Sequence, residues 1–454
     1  MRGTLRLIVV FALGLALLAG GIGEVATSFM DSEASLANSL QAWTSTLWLQ
    51  TTLADFEAGI VPGQADTRSS PGDVGLARAN RIFAFQGGSA SFWAYGVPGN
   101  SWASMASPPA PNTVGAGGAL AYDGAQYIYA FRGGGNNRTF WRYDTISDTW
   151  LARPNTSANV GAGGALAYGN SGFVYAFHGN GTTTFRRYRI ANNIWQNRTA
   201  TSVAVGAGGA LAYDGSGFIY AFHGNGTTTF RRYRTANNTW QNRTAAPAAV
   251  GAGGALAYDG SRYIYAFRGN TTTAFWRHDT TGNSWAAMTS APANVGAGGA
   301  LAYDGSGYIY AFSGNGSNAF WRYDVLNNAW MVMAVAPGNV NAGGALAFVP
   351  ASTYVTSATI ASQVRDTGTP GDRWDALFWD ETLPTANTDI TFEVRASDTL
   401  FAADNTTLAW TFVGETSPVT SGLPPGQYMQ WRATLTTSDT SVTPLLNEVR
   451  VYHY

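Results

Sequence analysis

The stretch Val114–Tyr122 reads VGAGGALAY, and it decides the fold because the chain repeats it. The same nine residues begin again at Val160, Val205, Val250 and Val295. A variant, VNAGGALAF, begins at Val340. The interval is 46 residues once and 45 residues four times. A fixed period of roughly 20–50 residues is typical of solenoids, propellers and repeat arrays.

Each repeat contains three further apolar runs. The second run, as in YIYAFRG at Tyr127–Gly133, ends in glycine, and an early copy of it begins at Arg81. A third run such as FWRY follows, and a Trp stands seven residues beyond its end, at Trp102, Trp150, Trp195, Trp240, Trp285 and Trp330. Short aromatic runs between Gly, Asn and Thr clusters predict strands with tight turns. Four strands per repeat predict an all-β fold built from β-propeller blades.

The order of the copies indicates how the ring closes. The first copy, 81–107, has no good inner strand before it, and the last inner strand, 341–348, has no copy after it. We therefore predict a six-bladed propeller over 78–350, in which strand 341–348 pairs beside 81–107 and removes the exposed edges. An alternative places Val74–Ala77 as the first inner strand.

The repeat resembles the kelch repeat. The resemblance rests on the small-residue inner strand, the spaced Tyr and Trp, and the glycine doublets Gly87-Gly88 and Gly133-Gly134, which become Gly-Asn in later copies. It implies a propeller but no particular function, because propellers host many functions.

Composition narrows the chemistry. Among 454 residues there are 55 Gly and no Cys, and all 26 cationic residues are Arg. The absence of Cys excludes disulfides, thiolate metal sites and the cysteine–tyrosine copper cofactor of kelch-type oxidases. The absence of Lys excludes Schiff-base chemistry. No G-x-S-x-G motif is present, and carboxylates are scarce in the repeats, so we expect no enzymatic activity and no resident cofactor.

The N-terminus predicts export. Arg2 and Arg6 precede the apolar run Leu7–Gly21, and Ala26 and Ser28 fit a cleavage site, so 1–28 reads as a signal peptide. A membrane anchor is the alternative, although the run is shorter than a span requires. The following segment, within 29–77, resembles the mature N-terminus of camelysin and biofilm-fibre proteins, at Phe29, Asp31, Glu33, Ser35, Asn38, Ala42, Leu47 and Leu49. That resemblance implies residence at the cell surface or in a matrix.

A different pattern begins in 351–454. Alternating apolar residues at 390–397, 408–414 and 428–437 predict a β-sandwich. The motifs SQVRDTG and WDALFW, with the last 29 residues, resemble discoidin-like jelly rolls. The resemblance implies an early strand, which 50–77 could supply; the propeller would then be inserted in the jelly roll. It also suggests calcium, for which Asp366 and Asp372 are the first candidates.

One pair of histidines raises the question of a metal site. His178 and His223 end the second strand of adjacent copies, where other copies have Gln86, Arg132, Arg268 and Ser313. A position that accepts His, Arg, Gln and Ser is typical of a polar rim. Of the remaining two histidines, His278 replaces a repeat Tyr, and His453 lies near the C-terminus.

Charge is segregated along the chain. Residues 76–350 have 18 Arg and 8 acidic residues, whereas 351–454 have 5 Arg and 12 acidic residues. Two adjacent copies replace FWRYD with FRRYR, which gives basic stripes at Arg186, Arg187, Arg189, Arg231, Arg232 and Arg234. One interpretation is an anion-binding arc, since guanidinium groups bind carboxylate, sulfate and phosphate. The other is that these arginines pack over aromatic rings and stay solvated.

Ten N-x-[ST] sequons are potential glycosylation sites in an exported protein, at Asn137, Asn155, Asn180, Asn197, Asn225, Asn237, Asn242, Asn270, Asn315 and Asn405.

We predict a secreted or cell-surface protein whose propeller binds or adheres to a glycan or a surface protein, with no nucleic-acid partner. The second hypothesis is a structural subunit of a filament or matrix that self-associates through its N-terminal segment. A propeller enzyme is the third.

Overall fold

The computed structural model describes residues 25–28, 43–68, 72–169 and 171–453. The predicted signal peptide and most of the segment after it lie outside these residues; Val25–Ser28, at the end of the predicted signal, forms a short strand. Within the described part, no helix has the length and apolarity to cross a membrane.

The fold is all-β and propeller-like, with repeated four-stranded antiparallel sheets. The described residues contain six of these four-stranded sheets, numbered 1 to 6 below. Sheets 2 to 6 each consist of four consecutive strands, whereas sheet 1 does not. Sheet 2 has Ala119–Tyr122, Tyr127–Phe131, Phe140–Asp144 and Thr149–Arg153. Sheet 3 has Ala165–Tyr168, Phe173–Phe177, Phe185–Arg189 and Ile194–Asn197, with a short 3₁₀ helix at Ile190–Asn192.

The next sheets repeat this order. Sheet 4 has Ala210–Tyr213, Phe218–Phe222, Phe230–Arg234 and Thr239–Asn242. Sheet 5 has Ala255–Tyr258, Tyr263–Phe267, Phe275–Asp279 and Ser284–Ala287. Sheet 6 has Ala300–Tyr303, Tyr308–Phe312, Phe320–Asp324 and Ala329–Val332.

Sheet 1 joins the two ends of the repeat region. Its innermost strand, Ala345–Val349, comes from the end of the repeats and pairs with Arg81–Phe85 from their beginning. Phe92–Gly96 and Ser101–Ser104 complete the sheet. The innermost strand of each sheet packs beside that of the next, and sheet 1 contacts sheets 2 and 6 in this way.

Aromatic rings fill the space between neighbouring sheets. Phe140, in the third strand of sheet 2, is fully buried, and it packs edge-on against Tyr188 and Trp195 of sheet 3 at centroid distances of 4.9 and 4.8 Å. The same set recurs between the other neighbours, except that His278 replaces the Tyr between sheets 4 and 5. The Tyr and Trp that define the repeat therefore lie at the interfaces between sheets. Their burial accounts for much of the stability of the ring.

Two further antiparallel sheets share one hydrophobic core outside the ring. The first contains Val25–Ser28, Trp43–Gln50, Leu445–His453, Val74–Leu76, Ala65–Asp66 and Trp374–Thr382. The second contains Ser357–Ala361, Tyr428–Thr437, Thr388–Ser397, Thr411–Gly414 and Arg365–Asp366. Both sheets contribute side chains to this core.

Strands that precede the ring therefore pair with strands that follow it. Trp43–Gln50 and Val74–Leu76 both pair with Leu445–His453. The alternative that Val74–Ala77 forms an inner strand of the ring is wrong, because Val74 and Gly75 pair with Leu446 and Leu445 instead.

A short helix and one arginine connect this part to the ring. The helix Leu53–Glu57 begins with a capping box between Thr52 and Asp55. Arg68 pairs with Glu57 at the end of the helix and with Asp324 of sheet 6, at 3.0 and 2.7 Å. Its guanidinium also lies 4.5 Å from the ring centroid of Tyr308.

Candidate functional site

The innermost strands surround a cavity of about 510 Å³ on the axis of the ring. Each strand carries the ALAY or ALAF sequence. Leu166 of sheet 3 packs toward sheet 2, whereas Ala165 and Ala167 pack toward sheet 4. Because Leu and Ala alternate, one large side chain and two small ones fill each narrow interface near the axis.

Glycine narrows one end of this channel. Gly164 and its equivalents line a smaller space of about 100 Å³. A Cβ on Gly164 would lie 2.7 Å from the carbonyl oxygen of Gly117 in the neighbouring sheet. The next glycine back, Gly163, has φ +88° and lies against the backbone of Gly206. The AGG part of the repeat therefore brings the sheets together closely at this end.

Aromatic side chains surround the wide end. We call this set the aromatic collar; it consists of Tyr122, Tyr168, Tyr213, Tyr258, Tyr303 and Phe348. These rings are half-buried. The Tyr122 hydroxyl donates to the carbonyl oxygen of Ala125 at 2.7 Å. The collar combines flat apolar faces with hydroxyl groups around one opening.

Aspartates in the adjoining turns set the charge of the collar. In four sheets the residue after the collar Tyr is Asp, and Asp304 accepts the backbone N–H groups of Ser306 and Tyr308 at 2.8 and 3.0 Å. Burial raises the pKa of Tyr303, and the charge of Asp304 raises it further. The Tyr303 hydroxyl is therefore protonated at neutral pH. The collar is therefore neutral to slightly acidic.

Two predicted arginines pack on aromatic rings. The guanidinium of Arg187 lies 3.9 Å from the ring centroid of Phe173, and that of Arg232 lies 4.1 Å from that of Phe218. Their Nε atoms donate to Gln196 and Gln241, at 2.7 and 2.8 Å. This matches the packing interpretation, and it also holds each guanidinium in one orientation.

The other four predicted arginines fall into two sets. Arg186 and Arg231 alternate with Arg187 and Arg232 along their strands, so they lie on the opposite faces of the sheets. Arg186 donates to Asn197, and Arg231 donates to Ser202. Arg189 and Arg234 are exposed at the ends of the strands.

The predicted rim position of the histidines is wrong. His178 and His223 are both 0% exposed. Their Nε2 atoms lie 2.5 and 3.0 Å from the hydroxyls of Thr156 and Thr201. Burial lowers the pKa of each histidine to about 4, with a smaller effect of Arg186 and Arg231. Both are therefore neutral buried residues that do not reach an external ligand.

The sequence analysis missed two sets of residues. One is the aromatic collar, whose signal was the last residue of each ALAY copy. The other is an arginine directly after the QN or LA pair of the outermost strand, at Arg153, Arg198 and Arg243. The signal for these was a position that holds Arg in three consecutive copies and Met in the other three, Met105, Met288 and Met333.

The calcium candidates do not converge. Asp366 accepts from the side-chain amide of Gln427 and the backbone N–H of Gly368. Asp372 is buried and faces His453, with 3.1 Å between Oδ2 and Nδ1. In the described residues, no three His, Asp or Glu side chains group as metal ligands would.

Most sequons are on the surface. Eight of the ten asparagines are exposed, whereas Asn137 and Asn405 are half-buried. Asn137 donates to the carbonyl oxygen of Gly133, and the Asn405 side chain accepts from the backbone N–H groups of Thr407 and Leu408. These two are the least accessible to modification.

Comparison with known proteins adds no assignment: no protein-family model matches the sequence, and no curated protein matches it either.

Proposed function

We propose that the protein is an exported, non-enzymatic carbohydrate-binding module. In this proposal the ring is a six-bladed kelch-like propeller, and the two further sheets form a discoidin-like jelly roll into which it is inserted. The N-terminal pattern around Arg2, Leu7–Gly21 and Ser28 supports export.

The observation that carries the proposal is the aromatic collar around the 510 Å³ axial cavity. Concave sites lined by aromatic rings, with a few polar groups, are typical of small-ligand binding. A sugar ring offers an apolar face for stacking and hydroxyls for hydrogen bonds. The collar supplies both partners, and its neutral to slightly acidic character favours an uncharged sugar.

Binding of neutral oligosaccharides, screened on a glycan array and then measured by calorimetry, tests this function. The double substitution Tyr213→Ala and Tyr258→Ala removes two stacking surfaces, and we expect a loss of affinity of roughly tenfold or more. The matched control is Tyr213→Phe and Tyr258→Phe, because Phe348 already occupies the equivalent position in sheet 1. We expect that control to keep most of the affinity.

Thermal unfolding of each variant separates loss of binding from loss of fold. The proposal fails if the unaltered protein binds no glycan, or if the double alanine variant binds as tightly as the unaltered protein.

A further inference from the structure

One position, at the end of the outermost strand or directly after it, distinguishes three consecutive sheets of the ring from the other three. The residue there donates its backbone N–H to the carbonyl oxygen of the Phe that begins the third strand, at 3.0 Å for Met105, Met288 and Met333 and at 3.1 Å for Arg198 and Arg243. Arg153 pairs with Phe140 in the same register. The position is therefore equivalent in all six sheets, with Arg in sheets 2 to 4 and Met in sheets 5, 6 and 1.

Each of these three arginines has a second arginine on the same face of its sheet. In sheet 2, Arg142 is opposite Leu151 and Arg153 is opposite Phe140, so both lie on the Phe140 face. That face packs against Tyr188 of sheet 3. We call the three such spaces the arginine grooves; they lie between sheets 2 and 3, 3 and 4, and 4 and 5, with the pairs Arg142/Arg153, Arg187/Arg198 and Arg232/Arg243.

The inner arginine of each pair is held in place by an aromatic ring. Arg142 lies 3.8 Å from the ring centroid of Tyr127, and Arg187 and Arg232 stack in the same way. The outer arginines make few contacts: Arg198 donates to the Tyr233 hydroxyl at 2.8 Å, and Arg243 donates to the carbonyl oxygen of Thr280 at 3.0 Å. The pairs are thus ordered donors with hydrogen-bonding capacity left over.

Nothing neutralises the grooves. None of the six arginines forms an ion pair with a carboxylate among the described residues. In the first groove, the Nε atoms of Arg142 and Arg153 are buried and have no hydrogen-bond partner, and neither has the hydroxyl of Tyr129, a residue that is 0% exposed. Buried polar groups normally have partners, so this groove has the character of an anion site.

Several acidic residues elsewhere in the described part of the chain form local ion pairs. Arg262 beside the third groove is neutralised by Asp279 at 2.5 Å. In the C-terminal part, Glu393 pairs with Arg432, Asp372 with His453, and Asp380 and Glu448 with Arg450. These five carboxylates are therefore already engaged and do not neutralise the arginine grooves.

We propose that the arginine grooves bind a linear polysaccharide that carries a carboxylate on its sugar units. The planar guanidinium fork matches a carboxylate with two parallel hydrogen bonds. Because the three grooves are adjacent, they present three arginine pairs to the regularly spaced carboxylates of one polymer chain. The choice of a polysaccharide over another polyanion rests on the proposed function; the grooves are a second site, distinct from the aromatic collar.

Polygalacturonate is the probe, and its affinity is measured by calorimetry near physiological salt. The triple substitution Arg153→Met, Arg198→Met and Arg243→Met gives sheets 2 to 4 the residue that sheets 5, 6 and 1 already have, so the fold tolerates it. We expect affinity to fall by roughly a thousandfold, since each of the three lost hydrogen bonds between charged groups contributes about tenfold. The control removes three exposed charges outside the grooves, Arg81→Met, Arg138→Met and Arg373→Met, and we expect less than a threefold loss because salt screens distant charges.

Three results would overturn the inference. One is the absence of polygalacturonate binding by the unaltered protein. Another is an equal loss in both triple variants, which would indicate net charge rather than grooves. The third is equally tight binding of double-stranded DNA, which would replace the polysaccharide with a general polyanion. If the protein binds neutral oligosaccharides but not polygalacturonate, only this inference is contradicted. If it binds no glycan at all, the proposed function is contradicted too.

Discussion

The arginine grooves have an arginine where the three other grooves have Met105, Met288 or Met333, above an interior of the same aromatic residues. In the first arginine groove, Phe140 contacts Tyr188 at a centroid distance of 4.9 Å. In the groove of Met288, Phe275 contacts Tyr323 at 4.8 Å. Met288 packs into the core of its groove, which is the ordinary way to close such a space. Because methionine closes three of the six grooves, arginine at this position is not required by the fold.

The largest expected effect tests the common interior. Phe140→Ala and Phe275→Ala each remove a ring that is at most 1% exposed. We expect each to lower the free energy of unfolding by about 3–5 kcal/mol, and the two costs to agree within about 1 kcal/mol. Chemical denaturation measures both. A much smaller loss of unfolding free energy for Phe140→Ala would mean that the arginine grooves are more loosely packed than the grooves that hold methionine. The two kinds of groove would then not share a common interior.

A second expected effect is a loss of folding stability at acidic pH, which is caused by the buried histidines and not by the arginine grooves. Burial lowers the pKa of His178, His223 and His278 to about 4 in the folded state. Unfolded histidine titrates near pH 6.5, so the unfolded chain binds protons first as the pH falls. The free energy of unfolding should therefore be highest above pH 6.5 and should fall between pH 6.5 and 4, by about 1–3 kcal/mol for each histidine.

The double substitution His178→Gln and His223→Gln checks this effect. Gln86 occupies the equivalent position in sheet 1, so glutamine suits the site. Denaturation curves collected from pH 7.5 to 4 should show a shallower fall for the variant. An unchanged slope would mean that other groups cause the acid sensitivity.

A third, smaller effect converts one kind of groove into the other. Met288→Arg places a second arginine beside Arg277, which lies 4.1 Å from the ring centroid of Tyr263. We expect the affinity for polygalacturonate to rise by roughly three- to tenfold, because one more charge-assisted contact becomes available. Calorimetry measures the change, and Met288→Gln is the uncharged control. A rise in the control as well would show that charge is not the cause.

The smallest effect concerns an arginine that already has its carboxylate. Arg262 pairs with Asp279, and its side chain is 52% exposed. Because exposed ion pairs contribute little, Arg262→Gln should leave the melting temperature unchanged within error and should not weaken polygalacturonate binding. A clear loss of binding would extend the anion site beyond the three arginine grooves.

The repeating strands could be predicted from the sequence because aromatic runs and Gly/Asn turns recur at a constant interval. The aromatic collar could not, since the direction of Tyr122 or Tyr213 depends on how the innermost strands surround the axis. The pair Arg142/Arg153 depends on strand register, which brings together two residues 11 positions apart. The burial of His178 depends on Thr156, which lies 22 residues earlier in the chain.

A crystal structure with a bound oligogalacturonate tests the central claim most directly. The account predicts sugar carboxylates within hydrogen-bonding distance of Arg153, Arg198 or Arg243 in the arginine grooves. Oligogalacturonate bound only at the aromatic collar, or only along the exposed Arg189 and Arg234, would contradict it.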